Sequence, residues 1–314
     1  MIKVQDIQYV LYGVSDLDQT AAFLDDFGLV HVADAGGRRY FRGAGPDAYA
    51  YVAEQAAEPG LRAVGMRVAS AADLEAASRI DGASAVQPLD GPGGGACVKV
   101  QMPGGVRVEL VHGIAPVAPR AVRDPLPFNH GQQKNRFNQP QRPERGRLEV
   151  LRLGHAALVV TDPVAARDWV VRHLGMIVSD SMLVPGQSDY LGFFMRCDLG
   201  ATPSDHHTLL LAVGERAGVH HVSFEMQDID AVYMAHEWMR GRGHAHHWGV
   251  GRHVLGSQVF DYWWDPDGLR VEHYADGDLF DNTVPANVVE GTPDQLWMWG
   301  PEVPDTFFQQ TRQG

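Results

Sequence analysis

Histidines are concentrated in the second half of the chain. Of the 15 histidines, 12 lie in the segment from His155 to His273. Imidazole is the commonest metal ligand in proteins and the side chain that most readily exchanges a proton near neutral pH. This distribution predicts that the chemistry of the protein takes place in the second half of the chain.

Three segments of this half place histidine or glutamate within a predicted β-strand: residues 154–158, 219–224 and 269–274. Side chains alternate between the two faces of a strand, so His220 and His221 should point in opposite directions and only one should reach a shared cavity. Three side chains could therefore converge on one point of the cavity: His155, one of these two histidines, and Glu272. Two histidines and one carboxylate with open coordination positions form the ligand set of non-haem Fe(II) oxygenases.

Each of these residues also has an ordinary structural interpretation. A single histidine on a strand is usually a core or surface residue. A glutamate that follows an Asp-Pro-Asp-Gly turn, as Glu272 does, is usually a solvated residue at the edge of a sheet. The joint spacing on three strands, rather than any one residue, supports a metal site.

The composition is typical of a globular protein with an acidic surface. The 314 residues are 45% apolar and carry a formal net charge of -13. This charge argues against a nucleic-acid partner or an anionic membrane, because both need a cationic face. The sequence shows no pattern of a signal peptide or a membrane-spanning segment. Cys97 and Cys197 are far apart, so we expect no disulfide framework and a reducing cytoplasm.

The chain contains an internal repeat. Three segments of the first half recur in the second half in the same order: 7–29 as 153–176, 60–77 as 218–235, and 102–113 as 265–277. The first two read as a strand followed by a helix, and the third as a Pro/Gly turn followed by a strand. The repeat predicts an α+β fold of two tandem modules.

The repeat and the composition of the segments between its copies suggest where the modules end. We expect an N-terminal module over residues 1–113 and a second module over 148–280. Residues 114–147, rich in Pro, Arg, Gln and Asn, form the predicted connection. Residues 281–314 carry several Trp and Phe residues and are expected to pack as an ordered tail on the second module.

A further set of motifs lies in the second half. The residues GRH at 251–253 are followed by YWWDPDG at 262–268 and then by Glu272. Together with LGH at 153–155 and VHHVSF at 219–224, this pattern resembles the type I extradiol dioxygenases of the vicinal oxygen chelate superfamily. The resemblance covers nearly the whole chain and is strongest in the second half.

The resemblance implies a fold, a metal and its ligands. Each module would be built from paired βαβββ units, and only the second would be catalytic. The second histidine of the pair is the ligand in that family, which favours His221 over His220 and gives His155, His221 and Glu272 as metal ligands. The metal would be Fe(II), with Mn(II) possible, and O2 would be the co-substrate. Asp261 departs from the family pattern, which usually has an apolar residue before the tyrosine.

The resemblance also implies the roles of three other residues. His207 would be the acid–base residue beside O2, His253 would lie near the substrate oxygen, and Tyr262 would hydrogen-bond to the catecholate. The reaction would insert both atoms of O2 into a substituted catechol and yield a ring-opened semialdehyde, in the degradation of aromatic compounds. An exposed turn at residues 206–207 and a core aromatic at Tyr262 are the alternatives. A homo-oligomer is expected because relatives commonly form one.

The candidate substrate-binding residues are Trp248, His246 and Phe194. Some family members that cleave substrates with a carboxylate carry an arginine five residues before the histidine that matches His253, and here that position is Trp248. The resemblance therefore favours a neutral or hydrophobic substituent, or one recognised by His246 or His247. Phe194 could line a substrate pocket or pack in the core.

The first-half positions that match the ligands are Tyr9, Ala63 and Glu109. Because this set lacks histidine, the first module should be a non-catalytic copy, unlike the related glyoxalase-type enzymes, whose metal takes ligands from both modules. The run 244–247 is interpreted as an exposed loop or as support for the site rather than as a second metal site. The alternative functions are another metalloenzyme of the superfamily, such as an isomerase or thiol transferase, and a non-catalytic small-molecule binding protein.

Overall fold

The computed structural model describes residues 2–309. The first half of this range forms a mixed β-sheet with two helices. Its elements are β1 (Val4–Val14), α1 (Leu17–Phe27), β2 (Val30–Ala35), β3 (Arg38–Arg42), β4 (Tyr51–Gln55), β5 (Gly60–Val68), α2 (Ala71–Ala77), β6 (Gln87–Pro88), β7 (Ala96–Gln101) and β8 (Arg107–His112). The strands lie in the spatial order β2-β3-β4-β1-β5-β8-β7-β6.

Two short strands in the connection and a second mixed sheet follow. These elements are β9 (Asn129–His130), β10 (Gln133–Lys134), β11 (Arg152–Val160), α3 (Pro163–Leu174), β12 (Met176–Leu183), β13 (Tyr190–Cys197), β14 (Ser204–Asp205), β15 (Leu209–Val213), β16 (Gly218–Glu225), α4 (Ile229–Gly241), β17 (His246–His253), β18 (Val259–Trp264), β19 (Arg270–Ala275), β20 (Leu279–Phe280), β21 (Asn287–Glu290) and β22 (Trp297–Trp299). Short 3-10 helices span Pro293–Gln295 and Asp305–Phe308.

The second sheet repeats the topology of the first. Its order is β21-β12-β13-β15-β11-β16-β19-β18-β17-β22, and the eight inner strands match the first sheet one for one. The strand directions match as well, since β1 and β11 each pair parallel to one neighbour and antiparallel to the other. The α+β fold with two modules, expected from the sequence repeat, is confirmed.

The helix ends explain the repeated Asp and Gly of the sequence. Asp16 and Asp162 are N-caps whose carboxylates accept hydrogen bonds from backbone N–H groups of the first helical turn. Gly28 and Gly175 end the two helices in the left-handed conformation, with φ of 109° and 66°. At Gly28 a Cβ atom would also lie 2.4 Å from the carbonyl oxygen of Leu148, so only glycine allows this close approach.

Val150, just after the connection, joins the two halves, and the tail extends the second sheet. The backbone of Val150 hydrogen-bonds to Gly28 and to Ala44 of the first half. In the tail, β21 pairs with β12 and β22 pairs with β17, so residues expected only to pack on the second module add strands to both edges of its sheet. Residues 310–314 of this tail lie outside the described range.

The core runs through both halves. The largest cluster of buried side chains includes residues from both sheets. At the contact between the halves, Phe27 packs edge-on against Phe224 and stacks on His273, with ring centroids 5.6 Å and 3.8 Å away. Among the described residues, no helix is long and apolar enough to cross a membrane.

Candidate metal centre

The three predicted metal ligands meet on adjacent central strands of the second sheet. His155 lies on β11, His221 on β16 and Glu272 on β19, and Ser223 pairs with both His155 and Glu272 across the sheet. Glu272 Oε2 is 3.3 Å from His155 Nε2 and 3.4 Å from His221 Nε2, and the two nitrogens are 3.3 Å apart. Donor atoms that bind one ion at about 2.0–2.2 Å lie at such separations.

The electrostatics of this triangle fit a cation. The Glu272 side chain is fully buried, and within residues 2–309 neither of its oxygens has a hydrogen-bond partner. An isolated buried carboxylate costs several kcal/mol unless a positive charge compensates it. Burial also lowers the pKa of His221 well below its usual range, so its imidazole is neutral, as a metal ligand must be. The residues present therefore fit a divalent metal ion.

His220 sets the orientation of His221. His220 Nε2 lies 2.7 Å from the carbonyl oxygen of Phe307 and also contacts the guanidinium of Arg270, which can only donate. Burial lowers the pKa of His220 well below its usual range, so this ring is neutral, and its Nδ1 lies 2.7 Å from His221 Nδ1. The Nε2 atom of His221 faces His155 and Glu272, and binding of a metal through this atom requires the proton of His221 on Nδ1, the atom that faces His220. Such outer hydrogen bonds fix the tautomer of metal-binding histidines.

The expectation that only one histidine of this pair reaches the cavity is wrong. His220 and His221 both line it. The pairing of β11 with β16 shifts between Ala157–His221 and Leu158–Val219, so His220 is an extra residue in a β-bulge. A bulge interrupts the alternation of faces and allows two consecutive side chains to share one side.

His207 lies next to the triangle at the end of a chain of polar contacts. Its ring centroid is 4.1 Å from that of His155. Its Nδ1 is 3.0 Å from His206 Nδ1, and His206 Nε2 is 2.6 Å from Asp180 Oδ2. Burial lowers the pKa of His207 well below its usual range. Both histidines are buried, so residues 206–207 do not form an exposed turn.

Asp180 was not identified from the sequence. Burial opposes the ionisation of its carboxyl group, but the hydrogen bonds from His206 and from Asn287, at 3.0 Å, outweigh burial and lower the pKa. Asp180 is therefore charged and holds the Nε2 proton of His206. The two residues are separated by 26 positions in sequence, and no local pattern links them.

His253 and Tyr262 form a hydrogen-bonded pair at the wall of the same cavity. His253 Nδ1 is 2.7 Å from the carbonyl oxygen of Leu296 and donates to it. Burial lowers the pKa of His253, so Nε2 of the neutral ring accepts the hydrogen bond from the Tyr262 hydroxyl at 2.9 Å. Burial and the nearby Glu272 carboxylate raise the pKa of Tyr262 well above its usual range, which keeps the hydroxyl protonated.

A cavity of about 370 Å³ opens over the triangle. The predicted ligands His155 and His221 and the neighbouring His207, His253 and Tyr262 line it. The remaining wall is largely apolar and includes Met182, Leu191, Phe194, Leu210, Val213, Leu255, Val289, Leu296, Phe307 and Phe308. In the part of the chain that the structure describes, no lysine or arginine is among the lining residues.

The three candidate substrate-binding residues lie in different places. Phe194 lines the cavity, whereas Trp248 and His246 are not among the cavity-lining residues of the described chain. Trp248 is buried behind Tyr262, with the rings parallel and centroids 5.8 Å apart, and donates from Nε1 to the Pro301 carbonyl at 2.9 Å. His246 contacts Asp261 instead.

Comparisons with known proteins agree with this fold. Residues 152–273 match the model of the Glyoxalase/Bleomycin resistance protein/Dioxygenase superfamily, so the similarity to this superfamily lies in the second half of the chain. The chain is 34% identical over 165 residues to Metapyrocatechase 2 of Cupriavidus necator; this match covers 51% of the chain and 48% of that protein. The chain thus spans about half the length of this relative.

Two solved structures extend the likeness to nearly the full chain. The Mn(II)-bound glyoxalase from Novosphingobium aromaticivorans superposes with a TM-score of 0.77 at 23% identity, covering 97% of this chain and 95% of that one. Homoprotocatechuate 2,3-dioxygenase from Brevibacterium fuscum superposes with a TM-score of 0.80 at 19% identity, covering 99% and 93%. The fold is therefore shared by proteins of both names, and the side chains of the site must distinguish between functions.

Proposed function

We propose that the protein is an extradiol ring-cleaving dioxygenase that uses Fe(II) and O2 to open a substituted catechol beside its two hydroxyl groups. The observation that carries the proposal is the buried triangle of His155, His221 and Glu272 at the base of a cavity. These ligands leave coordination positions open, as in the non-haem Fe(II) oxygenases. The relative named metapyrocatechase supports the same reaction class. Mn(II) could serve in place of Fe(II), since histidine and carboxylate ligands suit both.

A divalent metal held by His155, His221 and Glu272 would supply a Lewis acid that makes a catechol hydroxyl more acidic and brings the substrate and O2 together. The Tyr262 hydroxyl is placed to hydrogen-bond to a catechol oxygen. The hydroxyl has one proton, which His253 accepts in the free protein, so the hydroxyl would turn this proton towards the catecholate oxygen when the substrate binds. Both oxygen atoms of O2 enter the product, a ring-opened semialdehyde, so the reaction needs no external reductant.

His207 would move the proton. Its Nδ1 contacts His206, so its Nε2 is the ring nitrogen available to a bound molecule. When Nε2 takes a proton, the Nδ1 proton can pass to His206, whose positive charge the Asp180 carboxylate then stabilises. His207 can later return the proton to an oxygen of the product, which is the general acid–base role proposed for it.

The cavity supports a substrate with an uncharged substituent. Beyond the histidines, its walls are mostly aliphatic and aromatic. Glu290 contributes a carboxylate to the wall, and the described lining residues include no lysine or arginine. A carboxylate-bearing substituent would be buried there without a cationic partner, which is costly. Alkyl-substituted catechols fit this wall best. We further place the protein in the cytoplasm, because its two buried free thiols suit a reducing compartment.

The test combines metal content with oxygen consumption. The purified chain is stripped of metal, reloaded anaerobically with Fe(II) or Mn(II), and mixed with catechol, an alkylcatechol or a catechol that carries a carboxylate. We expect stoichiometric O2 uptake and a yellow ring-opened product, with the alkylcatechol the best substrate. Metal binding without O2 uptake from any catechol would contradict a dioxygenase and favour an isomerase or thiol transferase. Catechol binding without turnover would favour a small-molecule binding protein.

A further inference from the structure

A second group of potential metal ligands lies on the helix side of the second sheet. His236 is on α4, His246 on β17 and Asp261 on β18. Asp261 Oδ1 is 2.8 Å from His246 Nε2 and 3.1 Å from His236 Nδ1, and potential ligand atoms of all three lie within 4.8 Å of one another. Because adjacent residues of a strand face opposite sides, Asp261 points away from the cavity that Tyr262 lines.

The position of Asp261 is unusual for a carboxylate. It is fully buried, and its ion pairs within the described range are with His236 and His246. By strand register, the equivalent residue of the first sheet is Val98, an ordinary apolar core residue. A buried charge that replaces an apolar residue calls for a compensating cation.

The surroundings of Asp261 orient its carboxylate so that Oδ1 faces both imidazoles, while Oδ2 also lies 3.2 Å from His236 Nδ1. The indole N–H of the buried Trp263 donates to Oδ2 at 2.7 Å and fixes the carboxylate plane. A Cβ atom at Gly249 would lie 2.7 Å from Oδ1, so glycine at this position keeps the space beside that oxygen open. The side chain of His246 is 28% exposed, which provides a route from solvent to the three donor atoms.

We propose that His236, His246 and Asp261 form a second binding site for a first-row divalent cation of the zinc type, separate from the cavity site. Two imidazole nitrogens and one carboxylate oxygen are donors that Zn²⁺ accepts, and solvent past His246 can complete the coordination. Trp263 holds the second carboxylate oxygen, as outer hydrogen-bond donors commonly do for metal-binding carboxylates. The bound ion fastens α4 to β17 and to β18, the strand that carries Tyr262.

The test measures zinc stoichiometry in the full-length chain. The chain is stripped with a chelator, dialysed against micromolar ZnCl2, and analysed for zinc per chain by mass spectrometry. The double variant His236→Gln/His246→Gln should bind one zinc ion fewer than the wild type. Asp261→Asn, which keeps the size of the side chain, should lose the same ion. This difference does not depend on whether the cavity site is catalytic.

A matched control separates this site from general binding to histidines. The double variant His244→Gln/His247→Gln removes two imidazoles from the same stretch and should bind as much zinc as the wild type. If circular dichroism shows that the His236/His246 double variant does not fold, the zinc content of the single variant His246→Gln is measured instead. This position is partly exposed, so the substitution should be tolerated, and the variant should still bind one zinc ion fewer than the wild type. An equal zinc content of the wild type and the ligand variants would overturn the proposal. The contact of Asp261 with His236 and His246 would then be a hydrogen-bonded contact between α4 and the sheet.

Discussion

The two sheets place different side chains on equivalent strands. By register, Tyr9, Ala63 and Glu109 of the first sheet occupy the positions of His155, His221 and Glu272 in the second. In the first sheet the Tyr9 hydroxyl donates to Glu109 Oε2 at 2.5 Å, and Glu109 Oε1 lies 3.4 Å from the guanidinium Nε of Arg107. In the second sheet the carboxylate faces two imidazoles. The same backbone topology therefore supports a hydrogen-bonded pair in one copy and a candidate metal triangle in the other.

The difference extends to the space above the strands. Tyr49 is equivalent by register to His207, and its ring packs 5.2 Å from that of Tyr9 and 5.0 Å from that of Tyr40. These aromatic side chains occupy the region that in the second sheet remains a cavity of about 370 Å³. An open site on this fold therefore depends on smaller polar side chains at the positions of Tyr9 and Tyr49, and not on a different arrangement of strands.

The largest effect is expected when each of the two equivalent glutamates is replaced by glutamine. Glu272→Gln removes the charge that joins the two imidazoles, and we expect metal retention and activity to fall by at least about 100-fold, since even the outer partners of metal ligands are worth about 10–100-fold. Glu109→Gln should retain both. Metal content by mass spectrometry and oxygen uptake measure the effect. Full metal and normal turnover in Glu272→Gln would remove this residue from the ligand set.

The next prediction concerns the equivalent pair His207 and Tyr49. His207→Phe keeps an aromatic ring but removes the proton carrier, so we expect normal metal content and oxygen-dependent turnover slower by about 10²–10⁴-fold, the usual contribution of general acid–base catalysis. Tyr49→Phe in the first sheet should leave turnover unchanged. Single-turnover kinetics at varied O2 concentration check this prediction. Unaltered oxygen kinetics in His207→Phe would refute the proton-transfer role.

A pH-dependent prediction compares the turns before β8 and β19. Met102 and Asp265 occupy the same turn position, and each backbone N–H donates to the carbonyl four residues later at 2.9 Å. Burial raises the pKa of Asp265 from 3.8 to about 7. Because the folded state favours the protonated form, the stability of the wild type relative to Asp265→Asn is fully present below about pH 4 and is lost as the pH rises to about 7.

The measurement is urea unfolding of both proteins at acidic and at slightly alkaline pH. Asparagine keeps an oxygen that can accept from the backbone N–H groups of Asp267 and Leu269, which now donate to Asp265 at 2.9 Å and 2.8 Å. On raising the pH, Asp265→Asn should gain on the order of 4 kcal/mol in free energy of unfolding relative to the wild type. A difference that does not change with pH would show that Asp265 has an ordinary pKa.

The sequence was sufficient to predict the repeat, the two-module fold and the convergence of His155, His221 and Glu272. These features follow from strand periodicity, helix caps and the family motifs, which are local patterns. The shared face of His220 and His221 was not predictable, because a β-bulge depends on the register between two strands. Two further features were not predictable because they join residues far apart in sequence. They are the contact of Asp180 with His206 and the pairing of the tail strands with both edges of the second sheet. They arise from tertiary packing and leave no local pattern.

The smallest predicted effect concerns the stability of the first sheet. Tyr9→Phe removes the donor to Glu109 and leaves a buried carboxylate oxygen without that hydrogen bond, which should lower the free energy of unfolding by about 1–3 kcal/mol. Tyr12→Phe is the matched control, because the buried Tyr12 hydroxyl has no hydrogen-bond partner among residues 2–309 and its loss should cost almost nothing. Urea unfolding measures both variants. Metal content and turnover should be unchanged in both, since Glu109 stabilises its own sheet only; a loss of metal in Tyr9→Phe would instead show that the first sheet contributes to the site of the second.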